Sequence, residues 1–288
     1  MAILFDGRFS GNGNWAYDAA SDRWMNGTDQ YALDRENSRA AIDAMQLVVD
    51  REYGRVMRCR LTPDDVVSGE QKARIELSAP SGGIGDAGPP RDTSDQFMAK
   101  GVDLWFAGAF QLSAGTVFGR ASTPDRGDVV LVQWHDKPGG SRKAPAHIVL
   151  INDELQFRNS YDTGSGYDRL MWRAKARKGV WYRWVLQALW DDSAPGAGYM
   201  RLWINDQKVF EETSALNTYS DDNDPGPWPK MGGLYVPHGW PAGVPSLEVK
   251  HIGLIVGTEY AGYAEFSAAA ALGWSEAEAV LPGQMAIC

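Results

Sequence analysis

The sequence has little of several features on which common protein classes depend. It contains two cysteines, Cys59 and Cys288, so a fold held by several disulfides is excluded. A single bridge, or a buried thiol with a terminal one, both stay open. No apolar run approaches the ~20 residues that a membrane-spanning helix needs. Lysine and arginine (28) are fewer than aspartate and glutamate (37), which disfavours nucleic acid as a partner because phosphates are bound by basic patches.

Sequence signals for several functions are missing as well. The chain has no glycine-rich nucleotide loop, no Cys/His spacing for a metal and no nucleophile elbow. Its first residues, MAILFDGRFSGNGNW, lack the basic segment and the long apolar core of a secretory signal. We therefore expect a mature form, or a protein that leaves its cell by another route, located outside the cell or on a virion.

Turn-forming and aromatic residues are abundant by contrast, with 32 glycines, 15 prolines and 12 tryptophans. Short segments of alternating apolar and polar residues lie between the turns, which predicts an all-β sandwich in one domain, 1–263. Tight hairpin turns are predicted at 152–153 and 205–206, where the sequence has Asn-Asp. The strand-like segments are QKARIELSA, VDLWFAGAFQL (one bent strand or two), HIVLINDELQFR, WYRWVLQALW, YMRLWINDQKVFEE and LEVKHIGLIVG.

The end of the chain has a different composition. Residues 264–281 are rich in Ala, Glu and Leu, which are good helix formers. We therefore predict a terminal helix over 264–281 in a C-terminal tail, 264–288, and a frayed tail is the alternative.

The stretch VVLVQWHDK, residues 129–137, places polar residues in an otherwise apolar strand. Side chains alternate between the two faces of a strand. The predicted faces are Val129, Leu131, Gln133 and His135 on one side, and Val130, Val132 and Trp134 on the other. The face with Gln and His is either a working surface or a set of hydrogen-bonded interior groups. The Trp134 face is expected to pack between two sheets.

Two other segments carry polar residues in a comparable way. In QKARIELSA, Lys72, Arg74 and Glu76 share one face, and PWPKMGGLYVPHG contains Lys230 and Tyr235. Each group has an ordinary structural explanation when it is taken alone. These explanations are a solvated Arg–Glu ion pair, a surface lysine and a tyrosine at the edge of the core.

Taken together, these residue types match the cleavage of a uronic-acid polymer by β-elimination. The proton beside a carboxylate is weakly acidic until a cation and hydrogen-bond donors neutralise that carboxylate. Arg supplies a two-pronged clamp, and Gln and His add neutral donors. Tyr or His can remove the proton and protonate the leaving oxygen. This chemistry requires no metal or other cofactor. SDDNDPG at 220–226 is a candidate for a structural calcium ion, against the alternative of a solvated acidic loop.

The chain resembles the jelly-roll polysaccharide lyases of the alginate lyase, glucuronan lyase and heparin lyase I type. ARIEL is similar to their Arg-x-Glu strand, QWH to their Gln-x-His strand and KMGGLY to their Lys-x-Gly-x-Tyr strand. WYRWVLQALW followed by RLWINDQKVF resembles their Trp-rich strand and the hairpin after it. The resemblance runs in order from about Phe5 to Val256. It implies a concanavalin-like β-jelly-roll sandwich of two antiparallel sheets.

The resemblance also implies roles for the residues of these motifs. Arg74 and Gln133 would neutralise the substrate carboxylate, and His135 would assist them or act as the base. Tyr235 would be the acid, or both acid and base. The expected substrate-binding residues are Lys72, Glu76, Trp228, Lys230 and Trp240. No metal ligand is implied, and the expected partner is an anionic polysaccharide rather than nucleic acid or a membrane. The identity of the uronate and the oligomeric state stay open.

One motif departs from the family pattern. The family's lysine and tyrosine are four residues apart and share a face, whereas Lys230 and Tyr235 are five apart. In a regular strand these two residues would face opposite ways. A β-bulge at Gly232-Gly233 would restore the shared face. Without the bulge, either the lysine or the tyrosine leaves the site.

Two other functions are compatible with the sequence. A non-catalytic carbohydrate-binding module can use the same sandwich, because a fold does not determine a function. A phage virion appendage that grips or trims a capsular polysaccharide is the other alternative, and it is compatible with lyase chemistry.

Overall fold

The computed structural model describes residues 3–9, 15–19, 23–26, 29–34, 42–66, 73–78, 100–114, 128–135, 144–161, 168–219, 226–236, 240, 242–258 and 262–271. The first nine strands are β1 (Ile3–Asp6), β2 (Ala16–Asp18), β3 (Arg23–Asn26), β4 (Asp29–Asp34), β5 (Met45–Asp50), β6 (Gly54–Leu61), β7 (Ala73–Ser78), β8 (Asp103–Leu112) and β9 (Asp128–His135). They are followed by β10 (Ala146–Ile151), β11 (Glu154–Ser160), β12 (Asp168–Lys175), β13 (Trp181–Leu189), β14 (Tyr199–Ile204), β15 (Gln207–Glu212), β16 (Trp228–Val236) and β17 (Leu247–Thr258). The helix α1 is Tyr263–Ala271, and short 3-10 turns are Ile42–Ala44 and Pro63–Asp65.

The described strands form two antiparallel sheets. The front sheet has nine strands in the order β12-β11-β10-β9-β16-β7-β4-β3-β2. The back sheet has eight strands, in the order β15-β14-β13-β8-β17-β6-β5, with β1 paired to β17. Strands that are distant in sequence lie side by side, as β9, β16 and β7 do in the front sheet. The predicted all-β sandwich of two antiparallel sheets is therefore confirmed.

Short turns connect the hairpins at the predicted places. β10 and β11 are joined at Asn152, which has a φ of 58°, and β14 and β15 are joined at Asn205 and Asp206, with φ values of 47° and 67°. Asn and Asp adopt this left-handed conformation more readily than most residues. VDLWFAGAFQL forms one strand, β8, rather than two.

Large aromatic side chains join the two sheets in the core. Trp134 of β9 is fully buried and meets Trp184 of β13 and Phe106 of β8 edge to face, with ring centroids 5.5 and 5.7 Å apart. This geometry is favoured by the charge distribution of aromatic rings. The residues of β7 that enter the same core are Ala73, Ile75 and Leu77. The core position predicted for Trp134 and the alternation predicted for β7 are both confirmed.

Cys59 of β6 is fully buried in the same core. Burial raises the pKa of its thiol well above the ordinary value, which disfavours the reactive thiolate. Cys288 lies outside the described residues.

The helix α1 packs on the outer face of the back sheet. Phe266 stacks on Trp105 with centroids 5.8 Å apart, and Tyr263 stacks on Trp203 at 4.9 Å. The Tyr263 hydroxyl also donates a hydrogen bond to Asp206 at 3.0 Å. The predicted C-terminal helix is present as far as residue 271, and the rest of 264–281 lies outside the described residues. None of the described helical structure is long and apolar enough to cross a membrane.

Strand β17 contains an irregularity, and the residues that follow β1 pack closely against it. Its register against β8 shifts between His251 and Leu254, and Gly253 has a φ of 113°. A Cβ atom at Gly253 would lie 2.3 Å from the carbonyl oxygen of Gly7 and 2.6 Å from the Cα of Arg8. Both of these neighbours are backbone atoms, so rotation of a side chain cannot relieve the clash.

We predict that Gly253→Ala lowers the free energy of unfolding by about 3 kcal/mol or more, from overpacking and backbone strain together. Gly101→Ala is the matched control, because Gly101 has a φ of 74° with nothing within 4 Å of a Cβ atom. The control should lose about 1 kcal/mol from its backbone conformation alone. Urea unfolding measures both values. Equal losses of unfolding free energy would show that the close contact with Gly7 and Arg8 is unimportant.

Candidate active site

Strand β9 carries a β-bulge that the sequence pattern does not reveal. In the pairing with β10, Val132 lies opposite Ile148 and Val130 lies opposite Val149. Leu131 is therefore an extra residue on β9, with no counterpart on the partner strand. An extra residue of this kind reverses the alternation of faces on one side of the bulge.

The bulge corrects one expectation from the sequence. Val129 and Leu131 were expected to share the face of Gln133 and His135, but both lie in the core between the sheets. Val130 was expected in that core and is not part of the inter-sheet cluster, although it is buried. Trp134 lies in the cluster, so the alternation of the strand turns its neighbours Gln133 and His135 to the other face. The strand therefore presents its polar pair on the face turned away from the back sheet.

Strand β16 has the second irregularity, at the predicted place. Against β7, Met231 lies opposite Leu77 and Leu234 lies opposite Ile75. The two glycines at 232–233 therefore face a single residue of β7. This is the β-bulge that the five-residue spacing of the KMGGLY motif requires.

The bulge at 232–233 places the first and last residues of the KMGGLY motif on the same face of the front sheet. Lys230 lies opposite Ser78, and Tyr235 lies opposite Arg74. Positions 74, 76 and 78 of β7 alternate with the core residues, so they belong to the outward face. The register therefore places both Lys230 and Tyr235 at positions of the outward face, beside Arg74 and Glu76.

Glu76 is the centre of a buried polar network on this face. Its Oε2 lies 3.0 Å from Nε of Arg74, and its Oε1 accepts a hydrogen bond of 2.7 Å from Nε2 of Gln133. Glu76 is 2 % exposed and Gln133 is 3 % exposed, and the Arg74 side chain is 11 % exposed. The ion pair of Arg74 with Glu76 is therefore shielded from water, unlike the solvated pair considered from the sequence.

Strand β16 adds a cation and an aromatic ring next to β9. Lys230 lies opposite Gln133 and is 3 % exposed, so it is not a surface lysine. Trp228 lies opposite His135, and the centroids of their rings are 5.2 Å apart. The outward face of three adjacent strands thus brings together the side chains of Arg74, Glu76, Gln133, His135 and Lys230.

The comparison with known proteins decides the family to which this arrangement belongs. Residues 24–251 match the family described as polysaccharide lyase. The chain belongs to the polysaccharide lyase family. The resemblance drawn from the motifs is therefore confirmed. Among curated protein sequences, none matches this chain.

Solved structures with the same fold include other lyases. The endo-β-1,4-glucuronan lyase of the fungus Trichoderma reesei aligns with a TM-score of 0.56 and 17% identity, over 90% of this chain and 97% of that one. The alginate lyase A1-II', of polysaccharide lyase family 7, aligns with a TM-score of 0.51 and 14% identity, over 76% of this chain and 85% of that one. The jelly-roll fold of this lyase is therefore shared with both.

The two tryptophans predicted to bind sugar, Trp228 and Trp240, both make contacts within the protein. Trp228 is 7 % exposed, which leaves little of its ring surface for stacking on a sugar. Trp240 packs against the inter-sheet core, and its Nε1 donates a hydrogen bond of 2.6 Å to the carbonyl oxygen of Val244. Their roles in substrate binding stay predictions.

Some predicted features fall outside the part of the lyase that the structure describes. Lys72 lies there, and so does most of the acidic loop SDDNDPG, residues 220–225. Among the described residues, no group of three or more His, Cys, Asp or Glu side chains is placed to hold a metal ion.

Polar residues of β10 and β11 on the same face were missed from the sequence. His147 lies opposite Gln133, and Arg158 lies opposite His147. The signal was available in HIVLINDELQFR, where Gln156 and Arg158 alternate with core residues Leu155 and Phe157. The cross-strand neighbours of these residues depend on strand pairing that the sequence of one segment does not show.

We predict that Glu76→Gln lowers the free energy of unfolding by roughly 3 kcal/mol, because Arg74 loses its counter-ion in a shielded site. Urea unfolding measures the loss. Glu154→Gln is the control, since Glu154 is more exposed and lies 3.8 Å from Arg173, and it should change stability by less than about 1 kcal/mol. A Glu76→Gln protein as stable as the parent would mean that the network does not organise the face.

Proposed function

We propose that this lyase cleaves a uronic-acid-containing polysaccharide by β-elimination, with no metal ion taking part in the reaction. The observation that carries the proposal is the network in which Glu76 holds both Arg74 and Gln133 on the outward face. Lys230 and His135 lie beside it on the neighbouring strands. The fold shared with a glucuronan lyase and an alginate lyase, whose substrates are both uronate polymers, supports the choice of substrate.

The cations would neutralise the carboxylate of the sugar at the cleavage point. Glu76 forms an ion pair with Nε of Arg74, which holds the guanidinium on this face, and its terminal nitrogens carry the planar pair of N–H donors that suits a carboxylate. Gln133 has two amide N–H donors and uses one of them on Glu76. Because these groups are shielded from water, their effect on the charge that develops in the transition state is strong.

The proton transfers complete the elimination. A base removes the proton on the carbon beside the carboxyl group, and the electrons of that C–H bond form a carbon–carbon double bond. The bond from the neighbouring carbon to the glycosidic oxygen breaks, and an acid protonates that oxygen. We assign the acid to Tyr235 and the base to His135 or to Tyr235 itself. Glu76, with both oxygens bound inside the protein, positions Arg74 and Gln133 rather than contacting the substrate.

The reaction product tests this proposal directly. Incubation with a panel of alginate, glucuronan and heparin should give, with at least one polymer, a rise in ultraviolet absorbance from the unsaturated sugar. Mass spectrometry should show new non-reducing ends without added water, and cleavage should continue in the presence of a chelator. Hydrated ends on a cleaved uronate polymer would overturn the proposal. Binding without cleavage of any polymer would favour the carbohydrate-binding module.

We predict that Tyr235→Phe lowers the cleavage rate by roughly 10²- to 10⁴-fold, because the substitution removes the proton donor for the leaving oxygen. Binding of the polymer and the unfolding midpoint should stay close to the parent values. Tyr263→Phe, on the outer face of the back sheet, is the matched control and should cleave at the parent rate. A Tyr235→Phe protein that cleaves normally would remove Tyr235 from the mechanism.

The size of the substrate bears on where the lyase works. A polysaccharide does not cross a cell membrane unaided, so we propose that the protein acts outside the cell or as part of a virion. Measurement of lyase activity in culture medium, in cells and in purified phage particles would distinguish these locations.

A further inference from the structure

A line of polar side chains crosses four adjacent strands of the front sheet. Lys230 of β16 lies opposite Gln133 of β9, Gln133 lies opposite His147 of β10, and His147 lies opposite Arg158 of β11. Residues that lie directly opposite each other in an antiparallel sheet share a face. Neighbouring strands are about 4.8 Å apart, so Arg158 lies roughly 10 Å from Gln133 along this line. The polar face therefore extends well beyond the residues assigned to the reaction.

Arg158, like Arg74, has a polar neighbour at Nε that lies two residues away on its own strand. Its Nε donates a hydrogen bond of 2.9 Å to Oε1 of Gln156, two residues earlier on the same strand. The Gln156 amide in turn donates a hydrogen bond of 3.1 Å to Glu154. Arg74 is bound at Nε by a carboxylate two residues later on its strand. Both guanidinium groups thus have a neighbour at Nε, which for Arg158 is the neutral amide of Gln156.

Further positive charge lies next to Arg158 on the edge strand β12. Arg173 lies opposite Gln156, and its side chain is 62 % exposed and 3.8 Å from Glu154. Lys175 lies opposite Glu154 and is more exposed still, 4.0 Å from Asp153. Exposed pairs at these distances are weak. Three cationic side chains, Arg158, Arg173 and Lys175, therefore lie at this end of the face together with the carboxylates of Asp153 and Glu154, although the net charge of the protein is -9.

We propose that Arg158 binds the carboxylate of a second uronate, beyond the sugar that is cleaved, and that the polysaccharide chain crosses the strands along this line. The distance from Gln133 is about the span of two linked sugars. His147, between them, would contact the intervening part of the chain. The inference rests on the proposed function, since it assumes a substrate that carries carboxylates at more than one sugar.

The test is the kinetics of Arg158→Gln and Arg158→Lys on the uronate polymer that the parent protein cleaves. For Arg158→Gln we expect KM to rise about tenfold or more, as for the loss of a hydrogen bond between charged groups, with kcat within about twofold of the parent. The KM of Arg158→Lys should lie between the KM of the parent and the KM of Arg158→Gln. The KM of Arg158→Gln should also depend less on salt, because one screened charge pair is missing.

Arg60→Gln is the matched control. It removes the same charge from an exposed position of the back sheet, and its KM, kcat and salt dependence should equal those of the parent. An unchanged KM for Arg158→Gln would overturn the inference while the lyase activity of the parent still stands. A fall in kcat with KM unchanged would also overturn it, because that result assigns Arg158 to the reaction itself. A parent protein that cleaves no uronate polymer would remove the proposed function and this inference with it.

Discussion

The alternation of side chains along β9 and β16 is the constraint on which the polar face depends, because a shift of one residue moves every side chain of a strand to the other face. Both strands contain an irregularity at the same level of the front sheet. In β9, the bulge lets the consecutive side chains of Leu131 and Val132 both reach the core, while Gln133 stays on the outward face. In β16, the two glycines of the bulge allow Lys230 and Tyr235 to occupy positions on the same face, although they are five residues apart. Strands without these bulges would divide the same residues between the core and the surface.

The buried carboxylate of Glu76 explains how this face keeps its geometry. Arg and Gln side chains are flexible, and fixing them has an entropic cost. A shielded carboxylate whose two oxygens bind Arg74 and Gln133 holds both at once. Removal of Arg74 or of Glu76 would take away the counter-ion that the other has in this poorly solvated place, which is unfavourable by several kcal/mol. The network thus makes the arrangement of donors a property of the folded protein before any substrate arrives.

Local patterns in the sequence predicted the parts of the fold that depend on local physics. The Asn-Asp turns, the alternation in β7 and the position of Trp134 all follow from backbone preferences or from burial within one segment. The bulge at 232–233 was also predictable, because a glycine pair interrupts a motif of known parity. The bulge at Leu131 was not, since every residue around it is apolar and fits either face. The contact of Gln133 with Glu76 joins residues 57 positions apart, and the row from Lys230 to Arg158 depends on strand pairing that no single segment encodes.

The docking of α1 on the back sheet links the position of this helix to the emission of two tryptophans and to the protonation of Asp206. Trp105 and Trp203 lie under Phe266 and Tyr263, so release of the helix would expose two indoles and shift their emission to longer wavelength. Burial would raise the pKa of Asp206, but hydrogen bonds from Ser267, Arg183 and Tyr263 together with the Arg183 charge outweigh it and hold the pKa below its ordinary value. A carboxylate with a lowered pKa stabilises the folded state at neutral pH, and this contribution is lost as the pH falls through that pKa. Protonation of Asp206 would therefore weaken the hydrogen bonds from Tyr263 and Ser267 that attach this helix to the back sheet, on the side of the protein opposite to the polar face.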